Sequence, residues 1–251
     1  MNELRKAFHH RLDEIHGDIV RIAALVTEAI PKGTEVLLSG DLNLADVVIT
    51  GDDLLDARSL EVEEKCFQVL ALQAPMARDL RAVITAVHMI GEIERSGDLV
   101  VNICKAARRM YGVDLDPKLR GLIAKMGEQA HQLFNYAVTS YVESDAALAG
   151  AINDRDDVLD QLHREYIQSI FETHASHQLD LQVGVQLALI GRFYERIGDH
   201  AVNIGERVRY MITGWMPEHA GAMRVQRAEQ AAMESLQIPD DYDEPEGTTF
   251  P

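Results

Sequence analysis

The chain has 251 residues, 47% of them apolar, and a formal net charge of −17. Its length and apolar content allow a sizeable core and exclude disorder as the default. The charge excludes nucleic-acid binding over a broad basic surface, because such binding needs Lys and Arg facing the phosphates. For the same reason, the overall field gives no long-range attraction for free phosphate or nucleotide.

Long runs rich in Ala, Leu, Glu, Arg and Met, with no alternating strand-like segments, predict an all-α chain. The first half is predicted to form three helices, over about residues 2–38, 41–73 and 78–111. We expect a kink in the first of them at Pro31 and Gly33. The signals for the helix ends are Asp41 as an N-cap, Pro75 after the second helix and Gly112 after the third.

The second half is predicted to repeat this arrangement. Pro117 opens its first helix, Ser144 or Asp145 caps its second, and its third runs from about Leu179 to Ile212. Long helices joined by short connections must lie antiparallel to their neighbours. Two up-and-down three-helix bundles follow.

No segment of the chain predicts a membrane or secretory role. No run approaches the roughly 20 apolar residues of a membrane span, and the charged N-terminus lacks the apolar core of a signal peptide. Cys66 and Cys104 stand apart from any metal-finger spacing, which is typical of two buried, reduced thiols. We therefore expect a soluble, cytoplasmic protein.

An internal repeat relates the two halves. Residues 39–56 (SGDLNLADVVITGDDLLD) match residues 143–160 (ESDAALAGAINDRDDVLD) with a shift of 104 positions. The stretch ERSGDLVVNI from Glu94 matches ERIGDHAVNI from Glu195 with a shift of 101. The predicted divisions are residues 1–112 for the first repeat, 113–215 for the second, and 216–251 for an acidic, disordered tail.

Acidic side chains recur at helical spacing in both repeats. Glu94 and Asp98 lie four residues apart, and therefore on one face of their helix, with Asn102 one turn further on. The second repeat carries the same stripe as Glu195, Asp199 and Asn203. The preceding helices show the same acidic spacing in Asp52, Asp56, Asp156 and Asp160.

Hairpin geometry sets these acidic pairs opposite each other. The midpoint between residues 54 and 96 is Pro75, and the midpoint between residues 158 and 197 falls in the predicted turn from His174 to His177. If both stripes face one groove, four carboxylates converge there. Such a cluster raises its own pKa values or binds a hard divalent or trivalent cation on oxygen ligands, such as iron, manganese, magnesium or calcium.

The alternative is a solvated acidic face. Arg95 and Arg196 are then ion-pair partners of nearby acids, while Gly97 and Gly198 mark a close approach of helices. Glu128 and His131 form the E-x-x-H spacing of di-iron bundles, but the repeat does not reproduce it. No nucleophile with a base and no Walker-type, GxSxG or HExxH motif occurs, so we do not predict an enzyme.

The frame P-x-x-x-D-L-R at residues 75–81, followed by IERSGDLVVNI and later by YERIGDHAVNI, resembles the PhoU family. The resemblance covers about residues 5–213, with both halves in order. It implies two similar three-helix bundles, often dimeric, in a cytoplasmic negative regulator of phosphate uptake and of the phosphate-starvation response. It also implies binding to the ATPase subunit of a phosphate ABC transporter and to a membrane sensor histidine kinase.

The resemblance also assigns roles to residues by matched position. Some PhoU-like proteins bind metal clusters, including iron, through motifs of this kind. The implied ligands are Glu94, Asp98, Glu195 and Asp199, then Asp52, Asp56, Asp156 and Asp160, with Asn102 and Asn203 as outer or peripheral ligands. Arg81 is a candidate for partner binding, and its counterpart Gln182 is uncharged.

Three functions remain open from the sequence. The first is a regulator that works by binding, with metal cross-linking two helices and stiffening one face for docking. The second is a metal-dependent, carboxylate-bridged hydrolase or oxidase, which needs an open coordination position. The third is a helical scaffold without metal.

Overall fold

A computed structural model describes residues 2–176 and 179–215, with side chains from residue 6 onward. The predicted all-α fold is confirmed, and these residues contain no strand. The predicted acidic tail and His177 lie outside the described residues. None of the described helices is both long and apolar enough to cross a membrane. The six helices are α1 (Asn2–Ser39), α2 (Leu42–Gln73), α3 (Ala77–Arg109), α4 (Pro117–Glu143), α5 (Ala146–Ala175) and α6 (Leu181–Thr213).

Aspartate side chains begin four of the helices. Each accepts hydrogen bonds from backbone N–H groups of the first turn, which satisfies donors that have no partner inside the helix. The Asp41 cap is confirmed, and Asp145 rather than Ser144 caps α5. Helix α6 begins two residues later than predicted, because Asp180 caps it. The four N-caps are Asp41, Asp116, Asp145 and Asp180.

Helix α1 runs through Pro31 and Gly33 to Ser39, and the kink at these residues stays a prediction. Gly33 serves packing, because a Cβ built on it would lie 2.8 Å from Val100 Cγ1 on α3. The missing side chain lets α1 approach α3 closely. Gly112, with φ of +81°, follows the end of α3 in the left-handed conformation that glycine adopts readily.

The helices of each repeat pack against one another, and the repeats meet through like helices, α1 against α4 and α3 against α6. Both cross-repeat pairs are antiparallel. In the α1–α4 pair, Arg120 donates to the carbonyl of Leu38 at 2.8 Å, while the rings of His16 and Tyr141 stack with their centroids 4.5 Å apart. Like helices packed antiparallel place a local twofold axis between the repeats.

The core is continuous across the two repeats. Its largest fully buried side chains come from α1, α3, α4, α5 and α6. Tyr194 is buried against Thr34 of the other repeat, and the two hydroxyl oxygens lie 2.8 Å apart. Thr34 donates its own proton to the carbonyl of Ile30, so the Tyr194 hydroxyl donates to Thr34. Cys66 and Cys104 are buried and unbonded to each other, as predicted.

A substitution at Gly205 of α6 tests how closely α5 packs on α6. A Cβ on Gly205 would lie 2.8 Å from the backbone oxygen of Ala149, which cannot rotate away. We expect Gly205→Ala to lower the free energy of unfolding by about 1–3 kcal/mol, as overpacking does. Urea denaturation monitored by circular dichroism measures it.

Gly51→Ala is the matched control. Gly51 lies within α2 and has no atom within 4 Å of a built Cβ. Removing backbone freedom there raises stability by about 0.5–1 kcal/mol. Equal gains from both substitutions would contradict the close α5–α6 contact.

Candidate cation site

Each carboxylate cluster lies where two helices of a hairpin meet at a glycine. A Cβ on Gly97 of α3 would overlap the side chain of Leu55 on α2 and lie 3.2 Å from Asp52 Oδ1. A Cβ on Gly198 of α6 would overlap Asp156 Oδ1 on α5. Because glycine lets the helices approach so closely, these two carboxylates lie against helix backbone and lose part of their hydration.

The first cluster contains the four acids that hairpin geometry predicts at one height: Asp52, Asp56, Glu94 and Asp98. Burial and the charges of Asp56 and Asp98 raise the pKa of Asp52 to about 6, against the opposing effect of Lys105. Burial, followed by the same two charges, also raises the pKa of Glu94. The four carboxylates therefore lie near one another across the α2–α3 groove, and their charges repel.

The second cluster contains three of the four expected acids. Burial and the charges of Asp160 and Asp199 raise the pKa of Asp156 to about 6. Glu195 is held by an ion pair with Arg192, one turn earlier on α6. The position equivalent to Arg192 in the first repeat is Gly91, so Glu94 has no such partner.

Two further side chains at the clusters escaped sequence reasoning. Glu63 of α2 adds to the repulsion that raises the pKa of Glu94. His163 lies one turn beyond Asp160 on α5, and its Nε2 is buried without a hydrogen-bond partner. Burial and Arg192 lower the pKa of His163 against the opposing charge of Asp160, and the lower pKa favours the neutral ring. The spacing D-x-x-H from Asp160 to His163 could have indicated this residue. Its counterpart in the first repeat is Ser59, however, so a comparison of the repeats does not single it out.

The donor chemistry of both clusters fits a hard cation. Carboxylate oxygens are the ligands of Mg²⁺, Ca²⁺, Mn²⁺ and iron, and Asp156 Oδ1 is a buried oxygen without a hydrogen-bond partner. Within residues 2–176 and 179–215, however, no three acidic, His or Cys side chains converge on one point as ligands. A bound cation therefore requires side-chain rotation within the groove.

The two asparagines do not play equivalent parts. Asn203 donates its amide to Glu92 of α3 at 3.1 Å, and His200 Nδ1 lies 2.7 Å from the same carboxylate oxygen. Burial works against ionisation of Glu92, but these hydrogen bonds lower its pKa. Asn203 thus joins the two repeats. Asn102 is half-buried, and its amide has no hydrogen bond within the described part of the chain.

The contact of Glu92 with the other repeat could not be predicted, because no pattern within one repeat indicates it. Its counterpart is Phe193, and the counterpart of His200 is Leu99, so this polar contact has an apolar equivalent across the twofold. Arg95 is an ion-pair partner of a nearby acid, as predicted, and lies 3.3 Å from Glu92.

Arg81 makes an intrachain contact. Its Nε donates to the carbonyl of Met211 at 3.3 Å, near the C-terminus of α6. The guanidinium also lies beside Gly214, the residue that ends the helix with φ of +76°. A cation at this position satisfies a terminal carbonyl and opposes the helix dipole. The described contacts give Arg81 a role in joining the repeats, while partner binding by Arg81 stays a prediction.

The fold and site define a class: an all-α protein of two repeated three-helix bundles, each with an acidic groove beside a glycine contact. The PhoU domain matches residues 19–107 and 123–208, one range in each repeat. The chain belongs to the PhoU family.

Relatives and solved structures agree with this assignment. The chain is 37% identical over 216 residues to the phosphate-specific transport system accessory protein PhoU homolog 1 of Mycobacterium leprae, covering 86% of this chain and 96% of that protein. It is 35% identical to PhoU homolog 2 of Mycobacterium tuberculosis, covering 85% and 100%. The crystal structure of PhoU from Pseudomonas aeruginosa matches with a TM-score of 0.79 at 24% identity, covering 83% and 100%. That of PhoU from Streptococcus pneumoniae matches with a TM-score of 0.76 at 27% identity, covering 83% and 98%.

The raised carboxylate pKa values predict how stability depends on pH. The pKa of Asp52 is about 6 in the folded chain against an ordinary 3.8, so folding favours its protonated form. This contribution to stability is present below about pH 4 and is lost as the pH rises through 6. In metal-free protein we expect Asp52→Asn, which stays neutral, to be more stable than the wild type at pH 7.5 by about 1 kcal/mol, after allowing for solvent screening.

Chemical denaturation of EDTA-treated protein at pH 4.5 and 7.5 measures this difference. Asp156→Asn should behave in the same way. Asp154→Asn, at an exposed position of α5, removes the same charge away from the groove and serves as the control. A gain from the control as large as that from Asp52→Asn would show that total charge is responsible.

Proposed function

We propose that this protein is a regulatory accessory of phosphate transport that works by binding and catalyses no reaction. Membership of the PhoU family, with one domain match in each repeat, carries the proposal. The names of its relatives describe accessory proteins of a phosphate-specific transport system. Because those relatives are covered almost completely, the proposal concerns the whole helical unit and not a fragment of it.

In this proposal a divalent or trivalent cation binds at each carboxylate cluster. Asp52, Asp56, Glu94 and Asp98 would hold it in the first repeat. In the second repeat, the ligands would be Asp156, Asp160 and Asp199, joined by Glu195 after release from Arg192. The cation supplies positive charge that offsets the mutual repulsion of the acids and cross-links the two helices of the hairpin.

The partners in this proposal are the ATPase subunit of a phosphate ABC transporter and a membrane sensor histidine kinase, met at the cytoplasmic side. Cation binding stiffens each hairpin and favours the conformation that docks, so uptake and the starvation response are restrained together. The outer faces of α2 and α5 expose apolar residues at equivalent positions, which suits docking or a homodimer: Leu54 and Val158, Phe67 and Phe171.

Variants of each cluster test the cation site. We expect Glu94→Ala with Asp98→Ala to remove the metal of the first cluster, and Glu195→Ala with Asp199→Ala that of the second. Each pair should leave the other cluster loaded. Elemental analysis after metal loading and gel filtration gives the metal content per chain.

Asp154→Ala is the control for this experiment, because it removes an exposed acid of α5 outside the groove. Equal metal content in all variants would remove the cation site from the proposal. The family assignment would be unaffected, and a helical scaffold without metal would be the better description.

Affinity capture tests the regulatory function itself. The tagged full chain is used as bait in its own host, grown with high and with low phosphate. We expect a transporter ATPase or a sensor kinase to be recovered, in different amounts under the two conditions. Less of it should be recovered with a variant that combines both pairs of substitutions, Glu94→Ala with Asp98→Ala and Glu195→Ala with Asp199→Ala. Turnover of a phosphate ester by the metal-loaded protein, without such partners, would favour the hydrolase alternative.

A further inference from the structure

A groove between α4 and α5 lies away from both carboxylate clusters. It has a volume of about 730 Å³, within the range of small-molecule sites. Its floor is apolar at Leu122 and open at Gly121, where a built Cβ meets no atom within 4 Å. The lining also includes Lys118, Lys125 and Arg164, an unusual concentration of cations on a chain with a net charge of −17.

The charges in this groove are unevenly paired. Lys118 forms an ion pair with Glu172 at 2.9 Å. Lys125 and Arg164 form no ion pair with any described residue. The one acid in the lining, Glu165, accepts a hydrogen bond from Gln161 at 2.8 Å and forms no ion pair with either cation.

The register of the two helices brings the free cations to one stretch of the groove. Lys118 contacts Glu172, so Lys125, seven residues further along α4, lies level with Glu165 of α5, seven residues earlier, and Arg164 stands next to that level. Two like charges that line one groove repel, and an anion bound to both removes that repulsion. Lys118 lies roughly 10 Å further along the groove, because each helical residue rises about 1.5 Å.

The first repeat supplies an internal comparison. The equivalent groove between α1 and α2 has about 230 Å³ and is lined by Arg21, the counterpart of Lys125. There, Asp18 pairs with both Arg21 and Lys65. The counterpart of Asp18 in the second repeat is Leu122, so the acid that neutralises the first groove is absent from the second.

We propose that the α4–α5 groove binds a linear anion with two or more phosphoryl groups, of the inorganic oligophosphate class. An Arg fork and a Lys in the same groove suit phosphoryl oxygens, and the spacing to Lys118 exceeds the reach of a single phosphate. The lining contains no aromatic side chain on which a base could stack. This site is independent of the cation site and extends the proposed function, since its residues face a different groove.

Titration calorimetry of the EDTA-treated full chain with sodium tripolyphosphate at 0.15 M salt tests this proposal. We expect saturable binding, about tenfold tighter than that of orthophosphate and weakened by added salt. Lys125→Ala and Arg164→Ala should each weaken it about tenfold, and Arg164→Lys less, because Lys keeps the charge but not the fork.

Arg21→Ala is the matched control, since it removes the equivalent cation from the neutralised groove and should leave binding unchanged. Metal content of the cluster variants is measured separately, so loss of one site does not imply loss of the other. The proposal is overturned by absence of saturable binding, or by equal weakening in Arg21→Ala. Binding of a Glu-rich peptide without binding of tripolyphosphate would also overturn it, in favour of an acidic protein partner.

Discussion

The contact of a helix with the glycine of its neighbour is the constraint on which the acidic grooves depend. Gly97 and Gly198 let α2 and α5 approach so closely that Asp52 and Asp156 lie against backbone. The same approach that packs the hairpin takes water from one carboxylate and brings others beside it. Both effects raise the pKa of that carboxylate. Packing and charge repulsion are therefore two results of one contact, and a cation would relieve the second without loosening the first.

The sequence predicted the features that depend on local chemistry or on spacing within one hairpin. Asp41 caps α2 because its side chain reaches the free N–H groups of the first turn, an interaction within four residues. The shared height of Asp52 and Asp98, and that of Asp56 and Glu94, follows from counting residues outward from the turn at Pro75. These predictions need no knowledge of how one repeat packs on the other.

The contacts between repeats could not be predicted in this way. Asn203 and Arg81 both reach the other repeat, where they meet Glu92 and the end of α6. Their partners are more than a hundred residues away in sequence, and the rotation of α3 against α6 selects them. Spacing within a helix carries no information on that rotation. The contact of Gly33 could not be predicted for the same reason, since its partner Val100 lies on α3 and not in its own helix.

The repeats share a fold but have diverged in charge. The first cluster has Lys105 near its acids, where the second has Glu206. The second has Arg192 on Glu195, where the first has a glycine. Asp18 neutralises one outer groove, and Leu122 leaves the other cationic. Each difference is a single substitution on a common frame, so helix packing tolerates wide variation in surface charge.

The contact of Glu92 with His200 has no polar counterpart across the local twofold axis, and this has a consequence for the ancestry of the chain. Two copies of the first repeat would set Glu92 against Leu99, and two copies of the second would set His200 against Phe193. Either pairing buries a polar group without its partner, which costs about 1–3 kcal/mol. Each half has thus become selective for the other, as the subunits of a heterodimer are, and a gene encoding one half alone no longer specifies a well-matched pair.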